Sequence, residues 1–347
     1  MGYSLVMIGF LRKFFSGSNT YDLGRLVDRR QCDGRMVGEV AAPPFDIICD
    51  IDKTYLETEF ASVVDLARTA MEDARDKITV FGAREVLLAA RWARGVPPNG
   101  LHFVSSSPPQ LRRVLESKLV LDGLDWTSDT FKNQAYNLQK RRLGLLRHHV
   151  AYKTLAILTI MAKRDEGKKS VGEGGRFVMI GDNAESDPLV YGGVARLLEG
   201  RCSVSEFEFH LVNAGVQSIE IAQIMPVAAK IHGKGSVSAI FIRKVPGPRG
   251  NKPFETPEGQ WPPMTGFTSF FDVALGLLHV GVLPADGDVI FKLAAAAHNS
   301  ELIPGADLVH KLTALAKLSE SADVVKACRF AVAELDKRKP APWLNLG

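Results

Sequence analysis

The sequence predicts an α/β fold, a mostly parallel sheet with helices on both faces. Short apolar runs alternate along the chain with longer segments of helical apolar spacing, and this alternation is what a parallel sheet with helical crossovers requires. At least three of the runs end in acidic or hydroxyl-bearing turns. In open α/β sheets the carboxyl ends of the strands are where chemistry is placed, so these turns are expected to meet at one edge of the sheet.

The clearest run is Phe45–Cys49, which leads straight into Asp50-Ile51-Asp52-Lys53-Thr54. Its unbroken apolarity fits a parallel strand buried on both faces. Asp50 then stands at the strand's carboxyl end, and Asp50 and Asp52, two residues apart on an extended chain, face the same side. Helical spacing follows at Glu59–Lys77 and again at Glu85–Arg94. Leu101–Val104 is a second strand, ending in Ser105-Ser106-Ser107-Pro108-Pro109, and the prolines suit the start of a helix through Leu111, Leu115 and Leu119. Residues 122–150 are less regular and carry the basic run Lys140-Arg141-Arg142. Tyr152–Arg164 is a strong helix, with Lys153 near its start. After a Gly-rich polar linker, Arg176–Ile180 is a third strand, followed at once by Gly181-Asp182-Asn183-Ala184-Glu185-Ser186-Asp187. Val190–Leu198 reads as a helix, Val204–Asn213 and Val237–Ile242 as strands, and Val245–Pro263 as an extended Pro/Gly loop. Thr268–Val280, Asp288–His298 and Ala306–Lys337 are expected to be helical.

Composition sets limits on function. The chain has 347 residues, 46% apolar and 24% charged, enough for one large or two small soluble domains with a sizeable core. A net charge of +4 makes no demand for a nucleic acid partner, and none is expected. Cys32, Cys49, Cys202 and Cys328 are scattered without C-x-x-C spacing, against a zinc site or disulfide scaffold and in keeping with a reducing, cytoplasmic setting. No stretch approaches the ~18 consecutive apolar residues that span a bilayer, and in Met1–Phe15 the charges follow the apolar part, unlike a secretory signal.

Four pieces therefore stand in order: the pair Asp50/Asp52, the Ser105 turn, Lys153, and the pair Asp182/Asp187. In this order they resemble the four motifs of the haloacid dehalogenase superfamily of phosphohydrolases, which implies a Rossmann-like sheet. FVSSSPPQL at 103–111, FVMIGDNAESDPLVY at 177–191 and, more loosely, SAIFIRKV at 238–245 and FFDVALGLLHVGVL at 270–283 resemble the phosphatidate phosphatase catalytic domain known from an actin-patch protein. The resemblance implies a phosphatase domain over residues 43–283, between a peripheral segment at 1–42 and a helical segment at 284–347. Lys53 departs from the pattern, because the family usually has an aspartate there.

The residue types suit that chemistry. Asp50 would attack phosphorus as the nucleophile. Asp52 would protonate the leaving oxygen and then deprotonate the attacking water. Ser105, with Ser106 as its rival, would bond a phosphoryl oxygen, and Lys153 would bring it a compact positive charge. Asp187 would orient Lys153 or the metal's water shell. The resemblance further implies Mg²⁺ held by Asp50 and Asp182, with Asp52 adding its backbone carbonyl, and phosphatidate as substrate. A soluble phosphomonoester, or a catalytically silent lipid- or phosphate-binding module, is the competing reading. A lipid substrate without a spanning segment implies peripheral membrane contact, for which the basic run 140–142, the apolar start Leu5–Leu11 and the loop around Trp261 are candidates.

Overall fold

The structure, a computed structural model, describes residues 32–36, 44–57, 74–93, 95, 97–107, 111–132, 149–166, 175–246, 264–301 and 303–337. The expected helix at 59–77 lies largely outside these, apart from a single 3-10 turn at Ala74–Asp76. The basic run 140–142, the N-terminal stretch 1–15 and the loop around Trp261 also lie outside them.

Seven strands form one sheet. In chain order they are β1 (Cys32–Met36), β2 (Asp46–Asp50), β3 (Gly100–Ser105), β4 (Ser128–Lys132), β5 (Gly175–Asp182), β6 (Gly235–Arg243) and β7 (Met264–Phe267). Their order across the sheet is β1-β4-β3-β2-β5-β6-β7. Six run parallel, and β1 pairs antiparallel with β4 at the edge. The predicted α/β architecture is the observed one.

The order has a physical consequence. From β2 the chain builds outward through β3 to β4, then returns to the other flank of β2 with β5 and builds outward again through β6 and β7. The strand order therefore reverses beside β2, and a crevice opens beyond the carboxyl ends of β2 and β5.

The central strands alternate with period two between two apolar layers. Ile47, Cys49, Phe103, Val178 and Ile180 face one layer, and Ile48, Val104, Phe177 and Met179 the other. The second layer is closed by α3 (His149–Glu166), α4 (Asp187–Leu198), α5 (Val204–Asn213) and α6 (Ser218–Ile231). The first is closed by α1 (Ala83–Trp92), α2 (Arg112–Leu121), α7 (Phe270–His279), α8 (Gly287–Glu301), α9 (Gly305–Leu318) and α10 (Ala322–Lys337).

Several expectations are corrected. Val204–Asn213 is a helix, α5, and not a strand. Ser203 and Glu206 form a capping box, with Glu206 N donating to Ser203 Oγ at 3.2 Å and Ser203 N to Glu206 Oε2 at 2.7 Å. Phe207 and Leu211, one helical turn apart, carry the buried face, while Phe209 between them is 66% exposed. The single helix expected at 306–337 is two, α9 and α10, broken at 319–321, where Ser319 Oγ accepts from Ser321 N at 3.2 Å. Strands β1, β4 and β7 and helix α6 are absent from the expected elements. Strand β4 reads SDTFK, and its Ser128 and Asp129 side chains are buried and partnered: Ser128 Oγ lies 2.6 Å from His102 Nδ1, and Asp129 accepts from Trp126 Nε1 at 3.0 Å.

The helices after residue 284 are part of the main core. Ile290, Phe291, Leu308, Leu312, Cys328 and Ala331 are buried in the same apolar layer as Ile47 and Phe103. Leu312→Ala is accordingly expected to cost about 2–5 kcal/mol. Urea unfolding should show this as a shifted midpoint of one cooperative transition, and a separate transition for the C-terminal helices would contradict it.

Candidate active site

The crevice at the strand ends is lined by the residues singled out in the sequence. Asp50 is the last residue of β2, Ser105 of β3 and Asp182 of β5, while Asp187 is the first of α4 and Lys153 lies in the first turns of α3. All are buried, with Asp50, Ser105, Lys153, Asp182 and Asp187 each at most 1% exposed and Asp52 4%. Burial of this many charges is costly unless they pair with one another or with an ion.

Lys153 is the hub. Its Nζ lies 2.9 Å from Asp50 Oδ1 and 3.1 Å from Glu185 Oε2, and it donates a hydrogen bond to Asp187 Oδ1. The second oxygen of Asp187 accepts from the backbone N of Asp182 at 3.1 Å, which ties α4 back onto β5. Gly181 makes this approach possible, since a Cβ there would sit 2.8 Å from the Cβ of Asp187. In the turn between β5 and α4, Asp182 Oδ1 accepts from Ala184 N at 2.6 Å and Glu185 N at 3.0 Å.

Asp52 sits apart from this hub. Its Oδ2 accepts from Ser105 Oγ at 2.8 Å and from Ser107 Oγ at 2.7 Å, and Ser105 Oγ in turn accepts from Ser107 N at 3.0 Å. Tyr152 fixes the same turn from the other side, with its hydroxyl 2.8 Å from the Ser105 carbonyl and 2.8 Å from that of Thr130. Lys53, next in the chain, has a left-handed backbone with φ of 61°, and Arg243 donates to its carbonyl at 2.7 Å. The hydroxyl of Ser105 is thus turned to Asp52, whereas Ser106 Oγ donates towards Glu185 Oε2 at 3.3 Å.

The electrostatics follow from burial and crowding of like charge. Burial raises the Asp50 carboxyl well above its usual range, with Lys153 opposing, and burial likewise raises Asp187. Asp182 is pushed up to about 7 by burial and then by Asp187. Burial alone would lower Lys153, but Asp187, Asp50 and Glu185 together hold it well above its ordinary value. Glu185 is also opposed by burial, yet Lys153, followed by His149 and Lys53, brings it down to about 2. One ammonium does not neutralise four clustered carboxylates, so the arrangement calls for more positive charge.

A divalent cation would supply it, and the donor set fits one. Carboxylate oxygens of Asp50, Asp182 and Asp187 lie within 4.8 Å of one another. Asp50 Oδ2 and Asp182 Oδ2 are buried without a hydrogen-bond partner, and such orphaned acceptors are what a hard cation takes up. Asp187, expected to orient Lys153 or the metal's water shell, is the third carboxylate of this cluster, while the Asp52 carboxylate points to the serines.

Glu185, Ser107 and Tyr152 were not given roles from the sequence. Glu185 stood in view between Asp182 and Asp187, and Ser107 in a run of three serines, but spacing alone could not say which side chains turn inward. Nothing in the sequence marked Tyr152 beyond its place beside Lys153.

Residues 45–204 match the family model described as phosphatidate phosphatase APP1, catalytic domain. The match spans β2 through the start of α5 and includes every residue of the cluster. No curated protein and no solved structure matches the chain.

Replacing Lys153 with methionine removes the only cation seen to pair with Asp50 and Asp187 among the described residues. The loss is expected to cost about 3–5 kcal/mol, the range for breaking a buried ion pair on one side. In metal-free buffer the cost should grow from pH 5 to pH 8. Carboxylates whose folded pKa is raised stabilise the fold when protonated and lose that contribution as pH rises. Denaturant midpoints of the variant and parent across this range measure it, and a pH-independent difference would contradict the charge argument.

Proposed function

We propose that the chain, a phosphatase by the match of its residues 45–204 to that catalytic-domain family, hydrolyses phosphatidate to diacylglycerol and phosphate through an aspartyl-phosphate on Asp50. The observation that carries the mechanism is the buried set Asp50, Lys153, Asp182 and Asp187 at the switch point of the sheet, with unpaired oxygens on Asp50 and Asp182.

An Asp50 oxygen forms the bond to phosphorus as the bond from phosphorus to the glycerol oxygen breaks. The leaving oxygen takes its proton from Asp52, and the two serine hydroxyls on Asp52 Oδ2 hold that carboxyl in one orientation. Water then attacks the phosphorylated Asp50, with Asp52 receiving the water's proton, so that phosphate leaves and both carboxyls return to their starting states. Lys153 gives positive charge to the transferring phosphoryl group, and Asp187 holds Lys153 in place.

Asp50 and Asp182, whose Oδ2 atoms have no hydrogen-bond partner, are the residues that would hold the cation, with Asp52 offering its backbone carbonyl and Asp187 beside them. Mg²⁺ suits such a site, because it uses one or two carboxylates together with water and substrate phosphate. When bound, it would neutralise charge on the phosphoryl oxygens.

The lipid substrate places the reaction at a membrane surface. Among the described residues no helix is long and apolar enough to cross a membrane, so attachment is proposed to be peripheral. A cytoplasmic setting is proposed as well, supported by the free buried thiols of Cys49, Cys202 and Cys328.

The test compares phosphatidate in vesicles with soluble phosphomonoesters on the same purified protein. Release of phosphate from vesicles well above that from soluble esters is expected. The opposite ranking would leave a phosphatase of a soluble ester, and no turnover of either would leave a binding module. In the same assay, Asp50→Asn should lower kcat by roughly 10³-fold or more while the fold is kept. Excess chelator should abolish turnover reversibly, and Asp182→Ala should raise the Mg²⁺ concentration needed for half-maximal activity or abolish activity outright.

A further inference from the structure

Three carboxylates surround the ammonium of Lys153, as many as it has N–H donors. A phosphoryl oxygen can gain this ammonium only if one of them gives way. Asp187 is held at both oxygens and is wholly buried. Asp50 is fixed at the end of a central strand and 1% exposed. Glu185 lies in the turn between β5 and α4, and its side chain keeps 15% of its surface in contact with solvent. It is the least enclosed of the three.

The same oxygen of Glu185 meets both groups. Oε2 is 3.1 Å from Lys153 Nζ and accepts from Ser106 Oγ at 3.3 Å. An ammonium and a serine hydroxyl converging on one anionic oxygen is the arrangement that a phosphoryl oxygen needs.

We propose that Glu185 is a displaceable internal anion, whose carboxylate occupies the place on Lys153 and Ser106 that the substrate's phosphoryl group takes. The assignment rests on the phosphatase reading and deepens it. Glu185 becomes a residue that sets affinity, so that an anion able to offer a full phosphate charge opens the pocket and a weaker anion does not. After turnover the returning carboxylate helps expel inorganic phosphate.

The probe is inorganic phosphate, titrated calorimetrically into the full chain in the presence of Mg²⁺. Glu185→Gln keeps the shape and removes the charge. It should bind phosphate more tightly by an order of ten, because a binding-competent state that was rarely open becomes the main one. The KM for a phosphomonoester should fall with it. Glu185→Asp, one methylene shorter and still charged, is drawn back from Lys153 and should shift binding in the same direction by less. Unchanged or weaker phosphate binding in both folded variants would overturn the proposal and make Glu185 a positioning residue for Lys153, with kcat falling instead. Tighter phosphate binding with no hydrolysis of any phosphomonoester would uphold it while refuting the phosphatase mechanism. Hydrolysis with phosphate affinity unmoved would do the reverse.

Discussion

The buried ammonium of Lys153 is the constraint on which the rest of this structure depends. It stands 1% exposed among Asp50, Asp187 and Glu185, at the meeting point of β2, α3 and the turn that starts α4. None of those carboxylates could be buried so deeply without it, and it could not be buried without them. The pairing is incomplete by design of charge, because one cation faces a negatively charged excess. A site that remains short of positive charge after all its own groups have paired is suited to a partner that brings some, which is the condition for metal-assisted phosphoryl chemistry.

The sheet order delivers these groups to one place. Asp50 and Asp182 come from strands that are neighbours in space but separated in sequence by α1, β3, α2, β4 and α3. Only the return of the chain across β2 sets their carboxylates side by side. Parallel strands also end at the same level, so Ser105 on β3 reaches Asp52 just past β2 without any special loop. The helix that follows β5 begins with Asp187, where a carboxylate is favoured by the helix dipole. The last step is steric, because glycine at 181 lets that carboxylate lie against the strand.

Much of this was legible in the sequence because parallel strands buried on both faces advertise themselves as apolar runs. Phe45–Cys49, Leu101–Val104 and Arg176–Ile180 read as strands and are strands, and the acidic and hydroxyl-bearing turns after them converge. Segments whose signals conflict were missed. Residues 204–213, expected as a strand, are a helix, because the Ser203–Glu206 capping box starts one and its burial needs only Phe207 and Leu211. Strand β4 is hidden because its Ser128 and Asp129 are buried against His102 of β3 and Arg112 of α2, which no local pattern reveals. Within the site, residue types and order pointed to Asp50, Lys153, Asp182 and Asp187. The direction of a hydroxyl is a tertiary fact, however, and for that reason the division of labour among Ser105, Ser106 and Ser107 could be seen only in three dimensions.

The opposite end of the sheet offers an informative contrast. There Asp46, His102 and Ser128 form a row, with His102 Nε2 3.0 Å from Asp46 Oδ1 and Nδ1 2.6 Å from Ser128 Oγ. By residue type this is a hydrolase triad, yet its physical state is that of a structural relay. Ser128 is fully buried, and Asp46 is also paired with Arg164. The His102 imidazole is lowered to about 3 by burial and then by Arg91, so it stays neutral at ordinary pH. Each ring nitrogen and the Asp46 carboxylate is satisfied, and no acceptor is left waiting for a ligand. At the carboxyl ends of the strands the reverse holds, where Asp50 and Asp182 keep buried oxygens without hydrogen-bond partners and the charges do not balance. Both clusters are buried and polar, and both join neighbouring strands. What separates the reactive one from the supporting one is unsatisfied charge, because a fully paired network gains nothing from binding a substrate, while an incompletely paired one is stabilised by it.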